Sequence, residues 1–175
     1  AETLRRLPSP LGKFAVTGNH ESYAGLPAAL SFTEQAGFRI LRGETVRLPG
    51  LLSITGVDDP AVGRFGGVPK GEEDTLLPED DLFTLLLKHR PLIHPASEGR
   101  FDLQLSGHTH RGQIFPFTLL TAIAYPYQSG TYSLAGGGLL HVSRGTGTWG
   151  PPLRVLSPPE ITLIDLRKQT AAGGT

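Results

Sequence analysis

The chain has 175 residues, of which 38% are hydrophobic and 18% charged, enough for one domain with a hydrophobic core. Its 16 basic and 16 acidic side chains give zero net charge, and no basic cluster indicates a nucleic-acid-binding surface. The absence of cysteine excludes disulfides and thiolate metal sites.

Apolar runs separated by Gly and Pro predict many short elements. The run at 14–17 predicts a buried strand that stops at Gly18, and the apolar spacing of 26–37 predicts an amphipathic helix closed by its terminal glycine. Further strands are predicted at 39–41, 45–48, 51–57, 82–88, 101–106, 131–135, 139–143 and 161–166.

The remaining segments predict loops. Residues 60–80 are rich in Gly, Pro and acidic side chains, which indicates a loop with or without a short helix. Neither a repeat nor a linker interrupts the chain. We therefore expect residues 1–175 to form a single α/β domain, with a disordered tail at 168–175.

Three of the predicted strands end in loops that carry histidine. These loops are Gly18-Asn19-His20-Glu21, His89-Arg90-Pro91 and Gly107-His108-Thr109-His110. Ligands of open α/β folds bind beyond the carboxyl ends of strands, so histidines delivered there by three strands indicate one site. Neutral imidazole binds Zn, Fe and Mn-like cations, and an amide oxygen ligates without adding negative charge. The pattern predicts a metal site.

Each motif taken alone also has an ordinary structural interpretation. Gly-Asn-His by itself marks a turn, His-Thr-His by itself fits a surface loop, and a lone His89 fits a strand-end residue bonded to backbone. Their joint occurrence after apolar runs favours the metal site. In an extended segment, His108 and His110 point the same way and can reach two neighbouring ions. His20 points away from its neighbour and is free to exchange a proton.

The motifs GNHE at 18–21, His-x-Pro at 89–91 and SGHTHRGQ at 106–113 together resemble the calcineurin-like metallophosphoesterases. The bacterial YkuE and YaeI subgroup is the most similar. Three further stretches carry the same resemblance: ITGVDD at 54–59, HVSRGTG at 141–147 and PPEITLIDL at 158–166. The resemblance implies an αββα fold, a β-sandwich flanked by helices, which is incomplete at its N-terminus here.

The same resemblance implies metal-dependent hydrolysis of phosphodiesters or phosphomonoesters. Asn19, His89 and His108 would ligate one divalent ion and His110 the other, two per complete site, and such ligands admit Mn, Fe, Zn, Ni or Co. A water or hydroxide that bridges the ions would be the nucleophile, with His20 as the general acid. Small phosphate esters and lipid-linked phosphates are the implied partners.

One part of the family pattern is missing. The family's site begins with Asp-x-His and Gly-Asp motifs, but none of the 17 residues before Gly18 is Asp or His. We therefore expect a truncated chain, or else a diverged, non-catalytic remnant of the fold that binds one metal or none. The 175 residues alone should hydrolyse phosphate esters poorly. Any membrane association should require a segment further towards the N-terminus, which leaves cytoplasmic and membrane-associated locations both open.

Several other side chains have two open interpretations. Arg111 and Arg144 are candidates for binding a substrate phosphate, although a solvated loop and a structural salt bridge are the respective alternatives. His94 fits an exposed loop better than a substrate pocket. Trp149 either covers the core edge or stacks on a ligand, and Asp58-Asp59 before proline predicts a turn.

Overall fold

The structure, a computed structural model, describes residues 1–67 and 72–168. The loop residues 68–71 and the tail residues 169–175 lie outside the described part, so the prediction of a disordered tail is not addressed. The helices are α1 (Glu2–Arg5), α2 (Asn19–Ala24), α3 (Leu26–Gln35), α4 (Ala61–Arg64), α5 (Glu73–Leu76) and α6 (Phe117–Ala124), with a 3₁₀ helix at His110–Gly112. The strands are β1 (Phe14–Ala15), β2 (Arg39–Ile40), β3 (Glu44–Leu48), β4 (Leu52–Gly56), β5 (Phe83–Leu87), β6 (Leu103–Ser106), β7 (Gly130–Ser133) and β8 (Leu139–Val142).

A six-stranded sheet flanked by helices forms the centre of this mixed α/β fold, in the order β3-β4-β5-β6-β8-β7. Its four inner strands, β4, β5, β6 and β8, run parallel, and the edge strands β3 and β7 are antiparallel to their neighbours. The antiparallel strands β7 and β8 form a short hairpin around the three consecutive glycines at 136–138. Among the described residues, no helix is long and apolar enough to cross a bilayer.

The parallel strands β1 and β2 form a second, two-stranded sheet that packs on β4. Gly56 makes this close approach feasible, since a Cβ there would lie 2.3 Å from Leu41 Cβ and 2.9 Å from Val16 Cγ1. Any larger residue would push the two sheets apart. The end of β1 is thereby held beside the end of β4, where the Thr17 hydroxyl donates to Asp58 Oδ1 at 2.8 Å.

A hydrophobic cluster packs on one face of the six-stranded sheet. Leu86 and Leu140 on the inner strands are completely buried and pack with a cluster that also contains Leu77, Phe101, Leu134 and Val142. These residues bury their side chains because period-2 alternation turns them to the same face. The packing fixes the inner strands relative to one another, so the loops at their carboxyl ends share one edge of the sheet.

Two predicted segments differ from the structure. Residues 161–166 form no strand and pair with neither sheet. The segment crosses the face of β8 instead, where the Thr162 hydroxyl lies 3.1 Å from His141 Nε2. Residues 18–21 are the start of α2 rather than a loop, since Gly18 is the N-cap and the Glu21 carboxylate accepts its N–H at 2.7 Å.

Candidate metal centre

Side chains that follow three separate strands meet at the carboxyl edge of the sheets. Asn19 opens α2 after β1, His89 follows β5, and His108 follows β6. The Asn19 Oδ1 atom lies 2.9 Å from His89 Nε2 and 3.2 Å from His108 Nδ1, and the two nitrogens are 3.1 Å apart. We call these three residues the donor triad.

The spacing of the donor triad matches the spacing of ligands around one cation. Atoms ~2.1 Å from an ion lie about 3.0–3.4 Å from one another at octahedral or tetrahedral angles. Hydrogen bonds among the three residues do not account for the arrangement. Three close contacts join the two ring nitrogens and the amide oxygen, but these atoms carry at most two protons between them. The triad is therefore suited to one divalent ion.

Close packing around Gly18 positions two members of the triad. A Cβ at Gly18 would lie 2.9 Å from His89 Cε1, so glycine is required for the histidine ring to reach Asn19. His108 adopts a φ of 68°, in the left-handed region that residues other than glycine rarely occupy. Both features direct side chains to the same point at a local conformational cost, which is typical of functional sites.

Burial keeps the two triad imidazoles neutral. Burial lowers the pKa of His89 to about 4, with Arg90 also lowering it and Asp59 opposing the shift. Burial likewise lowers the pKa of His108 to about 4, and neighbouring His89 adds to the effect. Both rings are therefore neutral imidazoles at neutral pH, and histidine binds a metal in this neutral form.

Tyr125 is a site residue that sequence reasoning missed. Its hydroxyl lies 2.8 Å from His108 Nε2. In the tautomer whose Nε2–H donates to this hydroxyl, the Nδ1 lone pair faces the other triad atoms, as a metal ligand requires. No local pattern marks Tyr125, because its partner lies 17 residues away in the sequence and on another element.

His110 lies near the triad but is engaged differently. Its Nδ1 accepts a hydrogen bond from Arg154 Nη2 at 3.0 Å, and burial followed by the Arg154 charge lowers its pKa. Within residues 1–67 and 72–168, no group of three or more His, Cys, Asp or Glu side chains is placed to hold a metal. The donor triad contains two such side chains, His89 and His108, and the Asn19 amide is its third member. The second-ion role of His110 stays a prediction.

A cavity of about 330 Å³ opens beside the triad. Besides Asn19 and His108 it is lined by His20, His110 and Trp149, among others. His20 is exposed, and its ring packs edge-on against Tyr23 with centroids 5.4 Å apart. The cavity is large enough for a small phosphate ester, and the exposed His20 forms part of its lining.

The candidate substrate-binding arginines lie outside the cavity lining. Arg144 donates to the Glu160 carboxylate at 2.6 Å, so the salt-bridge alternative describes its position. Arg111 is exposed at the beginning of the segment that leads to α6. His94 is exposed and lines a second cavity of about 340 Å³ behind His89. A role for either arginine in substrate binding stays a prediction.

Asp58 and Asp59 form more than the predicted turn. Asp58 accepts a bidentate pair of hydrogen bonds from Arg42, and Asp59 accepts another from Arg90 at 2.7 and 3.0 Å. Burial by itself would raise the Asp59 pKa, but the Arg90 guanidinium and the Ala61 N–H hold it below its usual range. The Asp59–Arg90 pair thus locks the residue next to His89 in place.

Replacing Asp59 with Ala should lower the free energy of unfolding by about 2–3 kcal/mol at neutral pH. Fully buried pairs lose ~3–5 kcal/mol when one partner is removed, and Arg90 is 21% exposed here, which reduces the loss. Urea denaturation measures the difference. Because the folded pKa of Asp59 is lowered, its stabilisation is present above the unfolded pKa of ~3.9 and is lost as pH falls through the folded value. The difference from the unmodified protein should accordingly shrink in acid.

The matched control for this prediction is Asp165→Ala. Asp165 also pairs with an arginine, but both side chains are well exposed, so the expected loss is below ~0.5 kcal/mol. Equal losses from both variants would show that the buried pair near His89 contributes nothing beyond a surface pair.

Comparison with known proteins gives several curated relatives. An "Uncharacterized metallophosphoesterase" of Aquifex aeolicus is 44% identical over 171 residues, covering 95% of this chain and 65% of the relative. The chain belongs to the calcineurin-like metallophosphoesterase family. A Helicobacter pylori metallophosphoesterase is 41% identical, and the alignment covers 97% of this chain and 46% of the relative. YkuE of Bacillus subtilis is 34% identical, and the alignment covers 94% of this chain and 59% of the relative.

The chain spans between about half and two thirds of the length of these metallophosphoesterases. No protein-family model matches it, and no solved structure does. The assignment to the family therefore depends on the curated relatives, whose alignments cover the triad-bearing loops because they extend over nearly the whole chain.

Proposed function

We propose that this chain contributes the metal- and proton-handling residues of a hydrolase that cleaves phosphate esters. The observation that carries the proposal is the donor triad of Asn19, His89 and His108, with mutual separations of 2.9–3.2 Å, beside a cavity lined by His20. The names of the relatives support the same class of reaction.

The chemistry of the triad fits a divalent cation. Two neutral imidazoles and one amide oxygen are borderline ligands that admit Mn, Fe, Zn, Ni or Co. A cation held there would polarise a phosphoryl oxygen and lower the pKa of water. Because all three ligands are neutral, the cation would keep its full positive charge and would attract an anionic ester to the cavity.

The remaining steps belong to the chain's own side chains. The cavity orients the ester beside the triad, which makes the reaction with water effectively intramolecular. The exposed His20 lines the cavity outside the triad, where it can deliver a proton to the departing alkoxide. Tyr125 keeps His108 in the ligating tautomer. Positioning and charge neutralisation together account for most of the rate enhancement in phosphoryl transfer.

A second candidate function is that of a domain that binds a single metal without catalysis. The observation that favours it is the Arg154–His110 contact, which places a cation beside the residue expected to ligate a second ion. In the part of the chain that the structure describes, no carboxylate joins the donor triad. A second ion would then require ligands from outside these residues.

Metal analysis and an ester-hydrolysis assay separate the two candidates. The 175-residue chain and any longer in-frame product should be purified and tested on bis(4-nitrophenyl) phosphate with Mn²⁺, before and after chelation. We expect at most one weakly held ion and little activity from the short chain, with chelator-sensitive hydrolysis by a longer product. Hydrolysis that survives removal of metal would contradict the proposal, and bound metal without hydrolysis by either product would support the binding domain.

A further inference from the structure

The Tyr125 hydroxyl has His108 and Arg90 as its polar neighbours. His108 Nε2 lies 2.8 Å from the hydroxyl oxygen, and the two rings meet edge-on with centroids 5.0 Å apart. The Asp59 carboxylate, and to a smaller extent the Tyr125 hydroxyl, raise the pKa of the nearby Arg90 guanidinium. Within residues 1–67 and 72–168, no hydrogen-bond acceptor other than His108 Nε2 lies within reach of this hydroxyl.

The protons of these neighbours determine where the Tyr125 proton can go. When His108 Nδ1 turns its lone pair to the other triad atoms, the ring proton is on Nε2 and is donated to the Tyr125 oxygen. A guanidinium carries only donors, so Arg90 cannot accept the tyrosine proton either. The O–H bond of Tyr125 therefore points away from both neighbours, and its proton is available to a third group.

The third group would have to lie in the cavity beside the donor triad. Half-buried Tyr125 lines this cavity of about 330 Å³ together with Asn19, His20 and His108. Its hydroxyl contacts the ring nitrogen of His108 opposite to the one that faces the triad, so it is one imidazole ring away from the triad atoms. An ester that occupies the cavity next to the triad thus has its phosphoryl oxygens on the side where Tyr125 lies.

The surroundings of the Tyr125 oxygen strengthen its O–H group as a donor. A hydrogen bond accepted by an oxygen withdraws electron density from it, and the positive charge of Arg90 acts in the same direction. Asp59 fixes that charge through hydrogen bonds of 2.7 and 3.0 Å. Because these side chains are in place before a substrate arrives, the hydroxyl needs little reorganisation to stabilise negative charge in the transition state.

We infer that Tyr125 is a catalytic residue whose hydroxyl donates a hydrogen bond to a non-bridging oxygen of the phosphoryl group during hydrolysis. The inference rests on the proposed function and adds a contact with substrate to the positioning of His108. Tyr125 keeps its proton throughout, and the departing alkoxide takes its proton from His20. The hydroxyl lowers the barrier because the transition state of phosphoryl transfer spreads negative charge over these non-bridging oxygens.

The test compares the Tyr125→Phe variant with the unmodified longer in-frame product, since phenylalanine keeps the ring and removes only the hydroxyl. At saturating Mn²⁺ we expect kcat for bis(4-nitrophenyl) phosphate to fall roughly 10–100-fold, the usual effect of one hydrogen bond to a charged group. Alkyl esters should lose the same factor, because both kinds of ester have non-bridging oxygens. Calorimetric titration with inorganic phosphate gives a readout without catalysis, and its Kd should rise about tenfold.

Saturation with Mn²⁺ separates this role from the positioning of His108. A cation on His108 Nδ1 would itself keep the ring proton on Nε2, so a lost positioning partner could be compensated by more metal. Such a loss would raise the Mn²⁺ concentration needed for half-maximal activity by roughly 10–100-fold and leave the rate at saturation unchanged. Full recovery of the rate in excess Mn²⁺ would overturn the inference.

Tyr127→Phe is the matched control. Tyr127 is also half-buried, but its ring packs against Tyr132 with centroids 4.9 Å apart, and it is not part of the cavity lining. It should change neither kcat nor the Kd for phosphate, and an equal loss from this variant would contradict the role of Tyr125. Thermal unfolding of both variants checks that the fold is retained.

Phosphate binding distinguishes failure of this inference from failure of the proposed function. A Mn²⁺-loaded protein that hydrolyses esters, but whose Tyr125→Phe variant binds phosphate and turns over as well as the unmodified protein, would refute the inference alone. A protein that binds phosphate more weakly after the substitution, yet hydrolyses neither ester in its unmodified form, would contradict the proposed function and leave only the contact between Tyr125 and phosphate.

Discussion

We expect the His89→Ala variant of the longer in-frame product to lose its bound divalent metal and to hydrolyse phosphate esters on the order of 10³-fold more slowly. Metal ions supply several kcal/mol of transition-state stabilisation, and each ~1.4 kcal/mol is tenfold in rate. His89 Nε2 is within 3.1 Å of both other triad donors, so its removal leaves two ligands for the ion. Metal content by elemental analysis and the rate on bis(4-nitrophenyl) phosphate give the two measurements.

His94→Ala is the matched control for this variant. His94 is another histidine of the same loop, five residues further on, but it is exposed and lines a cavity that includes neither Asn19 nor His108. It should keep both metal and activity. The triad would be excluded as the metal site if His89→Ala retained its metal, or if His94→Ala lost as much.

The His20→Ala variant should lower kcat for alkyl phosphate esters by roughly 10²–10⁴, the usual contribution of general acid–base catalysis. The loss should be much smaller for nitrophenyl esters, because nitrophenolate leaves without a proton. His20 is exposed in the cavity and makes no hydrogen bond to the triad in the described structure, so metal content should stay the same. Steady-state kinetics on the two leaving groups, together with metal analysis, check these expectations.

The comparison between alkyl and nitrophenyl esters distinguishes a role of His20 as proton donor from a role in maintaining the shape of the cavity. A variant that had lost its cavity shape would be impaired on both ester types to the same degree. Parallel losses, or a loss of metal, would therefore assign His20 a structural role and leave the proton donor to be found elsewhere.

The sequence by itself places the candidate ligands at the ends of predicted strands. It does so through the order of the apolar runs and the identity of the residues that follow each run. Strands at 82–88 and 101–106 were predicted close to their observed bounds, because short β-rich runs followed by Pro or Gly have few other solutions. The structure then pairs these two strands in parallel, and parallel strands end at the same sheet edge, so His89 and His108 are neighbours. Their role as metal ligands stays a prediction.

Other features depend on contacts between residues distant in the sequence, which no local pattern reports. Tyr125 meets His108, Arg154 meets His110, and Asp59 meets Arg90 only because separate elements pack together. The segment 161–166 has the composition of a strand, yet it pairs with neither sheet, because strand pairing requires a partner that the tertiary structure brings alongside. The local sequence determined which side chains stand at each strand end, while tertiary packing decided their partners, since hydrogen bonds and ion pairs require proximity in space.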